Sequence, residues 1–382
     1  MIFNKNCVIF LLIKPWREKS VYIKISHTLY KSCNIHPMRK PALLPILLFL
    51  ALPSLFAQTQ TATLMHNGLL REYRLYVPPS YNPQSPAPLV FSLHGYTSNG
   101  LEQELYSAFN PLADTFGFIV VYPNGISETW NAGFIAGGVD DVGFISALID
   151  HIGSQYYLDA QRIYATGMSN GGFMSYYLAC QLEDRIAAIA SVAGNMSLNV
   201  QNTCQSVRKV PVLEMHGTAD GVVPYNESFL LPSVPFTVNF WVNRNGCDPT
   251  PDSLNLPDLV NEGSTVTRFY WNGPPGTSEV YLYRINGGGH SWPGAFPVPG
   301  VNTNQDIRGS RLIWDFFSAH LHPSPAPLLT AVGPDRLPSS LHIWPNPAHE
   351  VIRISDIPAS AERLRVTDAM GRVVYEEGIG EI

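Results

Sequence analysis

The sequence predicts an α/β fold, a mostly parallel sheet with helices on both faces. Strand-like and helix-like segments alternate from about Thr61 onward, the pattern of a covered parallel sheet. Hydrophobic residues make up 45% of the chain, with 18 Tyr, 18 Phe and 7 Trp, which requires a large core and excludes a disordered or fibrous protein. The length of 382 residues suits one enzyme-sized domain plus a smaller module.

Taken in order, Arg74–Val77 and Leu89–Leu93 read as strands, the second built of buried-type residues. Glu102–Phe116 reads as a helix, and Phe118–Tyr122 as a strand stopped by Pro123-Asn124-Gly125. Val142–Tyr157 carries Val142, Ile145, Leu148, Ile149 and Ile152 at the spacing of one helical face, with Asp140 or Asp141 placed to cap it. Ile163–Thr166 is a strand and Phe173–Gln181 a helix. Ala187–Val192 and Val210–Met215 are further strands. Phe236–Asn245 is a helix ending at Gly246. Val266–Trp271 and Val280–Ile285 are strands, and Ile307–His320 is the closing helix.

Both ends differ from this middle. Residues 1–57 hold eight basic residues and one acid, so 16 basic and 29 acidic residues remain in 58–382, a balance of −13. A body so acidic, with Lys209 as its single lysine, excludes nucleic acid and anionic membrane as electrostatic partners. Met38-Arg39-Lys40, the apolar run Ala42–Leu52 and a small residue at Ala57 read as a signal peptide over 38–57, cleaved after Ala57. Residues 1–37 then read as a non-native extension, with Met38 as the true start. The catalytic domain is expected over 60–322. Residues 323–340 are a Pro-rich linker, and 341–382 a small β module. Cys180, Cys204 and Cys247 remain in the exported part, an odd number that allows one disulfide of unspecified pairing. No Cys/His cluster has zinc-site spacing, so no metal is expected.

Gly167-Met168-Ser169-Asn170-Gly171 follows one strand and opens one helix. In a nucleophile elbow, glycines permit the sharp turn that lifts a serine above the sheet. The base and its orienting carboxylate should follow on later strand ends. Val210–Met215 leads to Asp220, and Val280–Ile285 leads to His290. The expected triad is therefore Ser169, Asp220 and His290. His216, a rival base, precedes Asp220 by only four residues and leaves no separate acid loop. Glu214 reads as a paired or edge carboxylate, His151 and His320 as surface or capping residues. The oxyanion is expected to meet the backbone N–H groups of Asn170 and of Tyr96, the latter in the loop His94-Gly95-Tyr96-Thr97. Trp130, Phe134, Tyr225 and Trp292 are candidate substrate platforms, with Trp130 and Trp292 preferred. Asp140-Asp141 reads as helix capping rather than a metal or substrate site.

Leu93-His94-Gly95, Tyr122–Gly125, Trp130-Asn131-Ala132-Gly133, Asp140–Phe144, the serine elbow, His216–Asp220 and Gly287–Gly294 resemble the poly(3-hydroxybutyrate) depolymerase-like esterases. That group includes secreted feruloyl and acetylxylan esterases. The resemblance runs from about Leu69 to Leu321. It implies an α/β-hydrolase fold, a carboxylic ester substrate and no cofactor, with Ser169 as nucleophile, Asp220 as acid and His290 as base. Phe134–Gly138 stand where many relatives carry a cysteine pair, so a disulfide anchored there is not expected. The tail Trp344–Ala348 with Val366–Val374 resembles the C-terminal sorting domain of the type IX secretion system in Bacteroidetes. It is expected to be partial, since the chain stops at Ile382. It implies the secretion machinery as a partner and export to the cell surface or beyond. Two other functions remain open to test: a serine peptidase of the same fold, and a non-catalytic surface binding protein.

Overall fold

The computed structural model describes residues 59–134, 137–229, 231–273 and 278–328, and outside them only short strands. The chain divides into two units, Pro53–Ala331 and the chain ends Met1–Leu52 with Val332–Ile382. First in the chain come β1 (Leu11–Lys14) and β2 (Val21–Ile25), paired antiparallel. The expected signal peptide over 38–57 and residues 329–340 of the expected linker lie outside the described residues.

The larger unit begins with a hairpin, β3 (Gln60–His66) and β4 (Leu69–Tyr76). Its turn is Asn67-Gly68, with φ of 47° and 78°, the left-handed backbone that a two-residue hairpin turn requires. Next come β5 (Ala87–Leu93), α1 (Gly100–Ser107), α2 (Asn110–Phe116), β6 (Ile119–Pro123) and α3 (Asp141–Gly153). The centre of the chain holds β7 (Leu158–Met168), α4 (Asn170–Gln181), β8 (Ala188–Val192), α5 (Leu198–Thr203) and β9 (Val212–Gly217). It continues with α6 (Val234–Asn245), β10 (Asp252–Asn255), β11 (Thr265–Trp271), β12 (Val280–Asn286) and α7 (Gly309–Ser318). In the unit of the chain ends, β13 (His342–Trp344) pairs with β14 (Val351–Ser355), β14 pairs with β2, and β15 (Arg363–Thr367) pairs with β16 (Val373–Gly378).

Ten strands form the sheet of the larger unit in the order β10-β11-β12-β9-β8-β7-β5-β6-β4-β3. The run from β12 to β6 is parallel, and antiparallel strands flank it on both sides. Every residue of β5, β6, β8 and β9 is buried, which explains why these strands are mostly apolar in sequence. Successive side chains leave opposite faces of a strand. Leu89, Phe91 and Leu93 thus join a core with Ile145 of α3, Met174 of α4 and Trp241 of α6. Val90 joins a second core with Phe109, Ile313 and Phe317. The predicted mostly parallel sheet with a helical layer on each face is the observed architecture.

One predicted helix is two. Glu102–Phe116 breaks at Ala108, which is left-handed at φ 51° and gives its N–H to Glu104 at 3.0 Å. The cause is Pro111, which has no N–H to continue a helix and instead occupies the first turn of α2. The strands β3 and β10 and the short helix α5 were not in the sequence reading. All four residues of β10 are exposed, so no apolar pattern marks it.

Cys180 at the end of α4 is bonded to Cys204, just past α5, and Cys247 is free. The bridge closes a loop of sequence separation 24. By chain entropy such a loop stabilises the folded state by about 3.5 kcal/mol. The double variant Cys180→Ala/Cys204→Ala is therefore expected to melt measurably lower. Reductant should lower the native midpoint but not that of the variant. Equal midpoints for native protein with and without reductant would show that the bridge constrains nothing. Among the described residues, no helix is long and apolar enough to cross a membrane, and no group of three His, Cys, Asp or Glu is arranged to hold a metal.

Candidate active site

The parallel strands deliver their following loops to one rim, the usual place for a site in an open α/β sheet. At the end of β7, Ser169 adopts φ 54° and ψ −119°, a conformation that a residue with a Cβ resists. Its N–H is held by the Val192 carbonyl at 2.9 Å, and its own carbonyl accepts the Phe173 N–H at 3.0 Å. Glycine is needed nearby for lack of space. A Cβ on Gly171 would stand 2.2 Å from the Leu93 carbonyl oxygen and 2.7 Å from that of His94, both backbone atoms. Gly171→Ala is accordingly expected to cost about 3 kcal/mol, the upper range for overpacking. Urea unfolding would check this, and an unchanged midpoint would refute the crowding.

The acid and base loops are laced together. Ala219 N–H donates to the Gly288 carbonyl at 2.9 Å, Thr218 N–H to that of Ile285 at 2.8 Å, and Gly287 N–H to Thr218 Oγ1 at 2.8 Å. Asp220 Oδ1 accepts the N–H groups of Val222 and Val223 at 2.8 and 2.9 Å. Its Oδ2 lies 2.7 Å from His290 Nδ1. Burial alone would raise the Asp220 pKa, but hydrogen bonds and charge from His216 and His290 outweigh it and hold the carboxyl well below the usual carboxylate range. Asp220 is therefore ionised and can only accept, so His290 carries a hydrogen on Nδ1. No hydrogen bond joins Ser169 Oγ to His290 among the described residues. In ligand-free sites this contact commonly tightens only when substrate is bound.

The candidate oxyanion donors flank the serine. Asn170 opens α4, where the first N–H groups have no acceptor within the helix. The Gly95–Tyr96 backbone runs beside Ser169, since a Cβ on Gly95 would lie 3.5 Å from the serine Cβ. His94 holds this loop. Its Nε2 accepts the Gly125 N–H at 2.9 Å, so Nδ1 bears the hydrogen and donates to the Gly95 carbonyl at 2.7 Å. Burial keeps its pKa low and the ring neutral. Asn170 has a further job that sequence reasoning missed. Its side-chain oxygen accepts the Trp130 N–H at 2.6 Å and its amide donates to the Trp130 carbonyl at 3.2 Å, clamping the 129–131 loop to the elbow.

Trp130 and Trp292, the expected substrate platforms, are both buried and present no exposed ring. Trp130 is 3% exposed and donates its indole N–H to the His94 carbonyl at 3.0 Å. Trp292 is 1% exposed, stands edge-on to Phe109 and bonds Ser310 Oγ at 3.0 Å. Both indoles are core residues beneath the site, because each ring finds its N–H partner inside. Among the exposed aromatics are Tyr96, at 67%, and Phe134, at 45%, whose ring lies 5.0 Å from that of Phe173 on the elbow helix. Tyr225 is half-buried and turned edge-on to His216.

Asp140 caps α3 by accepting the Gly143 N–H at 2.8 Å. Asp141 does something different: it is buried against Arg71 at 2.6 Å and accepts the Asn131 N–H at 2.7 Å. His216 is fully buried and cannot reach substrate, which removes it as a rival base. Glu214 is its partner at 2.9 Å. His320 bonds the Phe316 carbonyl at 2.7 Å near the end of α7.

A family model described as esterase PHB depolymerase matches residues 71–223. The chain is 31% identical over 256 residues to the bifunctional acetylxylan esterase/xylanase XynS20E of Neocallimastix patriciarum, a match covering 66% of this chain and 33% of that protein. It is 30% identical to the probable feruloyl esterase C of Aspergillus niger, over 65% of this chain and 84% of the relative. The chain thus spans about a third of the first of these proteins and most of the second. Among solved structures, the acetyl xylan esterase from Aspergillus awamori aligns with a TM-score of 0.50 and 17% identity, over 68% of this chain and 99% of that one, a likeness of fold.

Proposed function

The chain belongs to the esterase PHB depolymerase family of α/β-hydrolases, and from that premise we propose that it is a secreted serine carboxylic-ester hydrolase acting through an acyl-enzyme. His290 Nε2 takes the Ser169 proton as Oγ attacks the ester carbonyl. The tetrahedral oxyanion is met by the N–H groups of Asn170 and Tyr96. The ester C–O bond breaks as His290 returns the proton to the leaving alcohol. Water, deprotonated by the same nitrogen, then attacks the acyl-enzyme, and the proton passes back to Ser169 as the acid departs. Asp220 keeps the Nδ1–H tautomer throughout and stabilises the imidazolium. The observation that carries this reading is the 2.7 Å bond between a buried, ionised Asp220 and His290. It stands on the rim that also bears the strained serine turn.

The rim supports a proposal for the substrate class. Tyr96, in the loop beside Ser169, and Phe134, packed on the elbow helix, are exposed rings that suit an aromatic acid or a hydrophobic polyester chain. The Cys180–Cys204 bridge supports export to an oxidising compartment, in keeping with the signal and sorting segments read from the chain ends. Secretion machinery that reads the tail belongs to the same proposal. The test compares acid release from methyl ferulate, a 3-hydroxybutyrate oligomer and an acetylated xylan, with Ser169→Ala as control. A preference for ferulate assigns plant cell-wall ester cleavage, and a preference for the oligomer assigns polyester depolymerisation. Turnover of acetylxylan alone assigns deacetylation. No Ser169-dependent release from any of the three would overturn the ester reading.

A further inference from the structure

Behind the acid loop lies a buried polar chain that the ester mechanism does not use. Glu214 and His216 are two residues apart on β9, so both side chains leave the same face of the strand. They are 1% and 0% exposed, and buried groups of this kind are costly unless each finds a partner. Glu214 Oε1 lies 2.9 Å from His216 Nδ1. Its Oε2 accepts the hydroxyl of Tyr176 at 2.9 Å, from the helix that starts at the nucleophile. On the other edge of the ring, His216 Nε2 is 2.8 Å from the Val223 carbonyl. A carbonyl only accepts, so this nitrogen carries a hydrogen. The same nitrogen is 3.5 Å from Asp220 Oδ2. Val223 closes the circle by giving its N–H to Asp220 Oδ1 at 2.9 Å.

Burial disfavours a charged ring, yet the bonds to Asp220 and Glu214 push the His216 pKa up to about 9. Burial raises the Glu214 pKa, against the lowering pull of its bonds to His216 and Tyr176. An apolar pair of similar volume would fill this space and often does so without loss of stability. It would leave the Val223 carbonyl unbonded and Asp220 Oδ2 without a second N–H beside it.

We propose that Glu214 and His216 are positioning residues: His216 Nε2–H, oriented by Glu214, fixes the Val223 turn and keeps Asp220 Oδ2 aimed at His290 Nδ1. This inference rests on the triad reading. Because His216 never meets substrate, its loss acts on the chemical step and not on substrate affinity. Displacing a catalytic group by as little as 1 Å costs on the order of 10²-fold in rate.

The experiment uses the full chain and 4-nitrophenyl acetate, with active serines counted by fluorophosphonate titration carried to completion. His216→Leu is expected to lower kcat per titrated site on the order of 10²-fold with KM unchanged. His216→Gln, which returns an amide N–H near the Nε2 position, is expected to recover about tenfold of that loss, the worth of one good hydrogen bond. Three results would overturn the proposal: native kcat in His216→Leu, a change confined to KM, or folded Leu and Gln variants that are equally slow. Should the Leu variant not fold, the isosteric Glu214→Gln decides, with a lowered kcat expected and native kcat overturning the role. Ser169→Ala separates the two readings. If that control stays active, the triad has failed and the proposal falls with it; if it is silent, any failure belongs to His216 alone.

Discussion

Ser169→Ala is expected to lower kcat/KM on soluble esters by a factor on the order of 10⁴–10⁶. The change removes one oxygen and nothing else. Alanine keeps the Cβ that Gly95 packs against, and the backbone bonds to Val192 and Phe173 do not involve the hydroxyl. The circular dichroism spectrum and thermal midpoint should therefore match those of the native protein. What remains of catalysis comes from the oxyanion donors and the bound geometry, which act on water attack alone. Initial rates at saturating and low substrate would check this. An alanine variant within tenfold of native would place the nucleophile elsewhere.

Asp220→Asn is expected to reduce kcat by roughly 10⁴-fold near neutral pH, the loss typical of a triad with the wrong tautomer. The geometry dictates how. Oδ1 accepts two backbone N–H groups, so the amide oxygen of an asparagine must take that position. The NH₂ group then occupies the Oδ2 site, facing His290 Nδ1 and His216 Nε2. Two donors cannot face each other, so His290 must turn its acceptor nitrogen inward and present Nε2–H to the serine. That nitrogen can no longer take a proton. Rates for the isosteric variant, with the fold checked by its melting curve, test the point. A loss of less than tenfold would mean that Asp220 does not set the tautomer.

How much was legible in the sequence differed by kind of residue. The parallel strands were readable because sheets buried on both faces demand mostly apolar runs, as in Ile119–Pro123. The break at Ala108 was missed although Pro111 signals it, since the apolar spacing continues across both helices. The hairpin turn Asn67-Gly68 was a local signal passed over. Within the site, Ser169, Asp220 and His290 were marked by their place after strands, which chain order states directly. The burial of Trp130 and Trp292 was not legible, because chain proximity to a loop says nothing of where a side chain turns. Trp292 stands two residues from His290 and still points into the core. For Glu214 and His216 a signal existed: two polar residues on one face of an otherwise apolar strand must be paired with each other or with something below.

The backbone of Ser169 has a consequence for how this protein would respond to selection. Its φ of 54° with ψ of −119° suits glycine, and a side chain there costs on the order of 1–3 kcal/mol. Serine at this position is thus a standing thermal liability, one that the proposed role as nucleophile would justify. A screen for heat tolerance with no assay of turnover would drift toward glycine at residue 169 and, on that proposal, deliver a sturdier, inert protein.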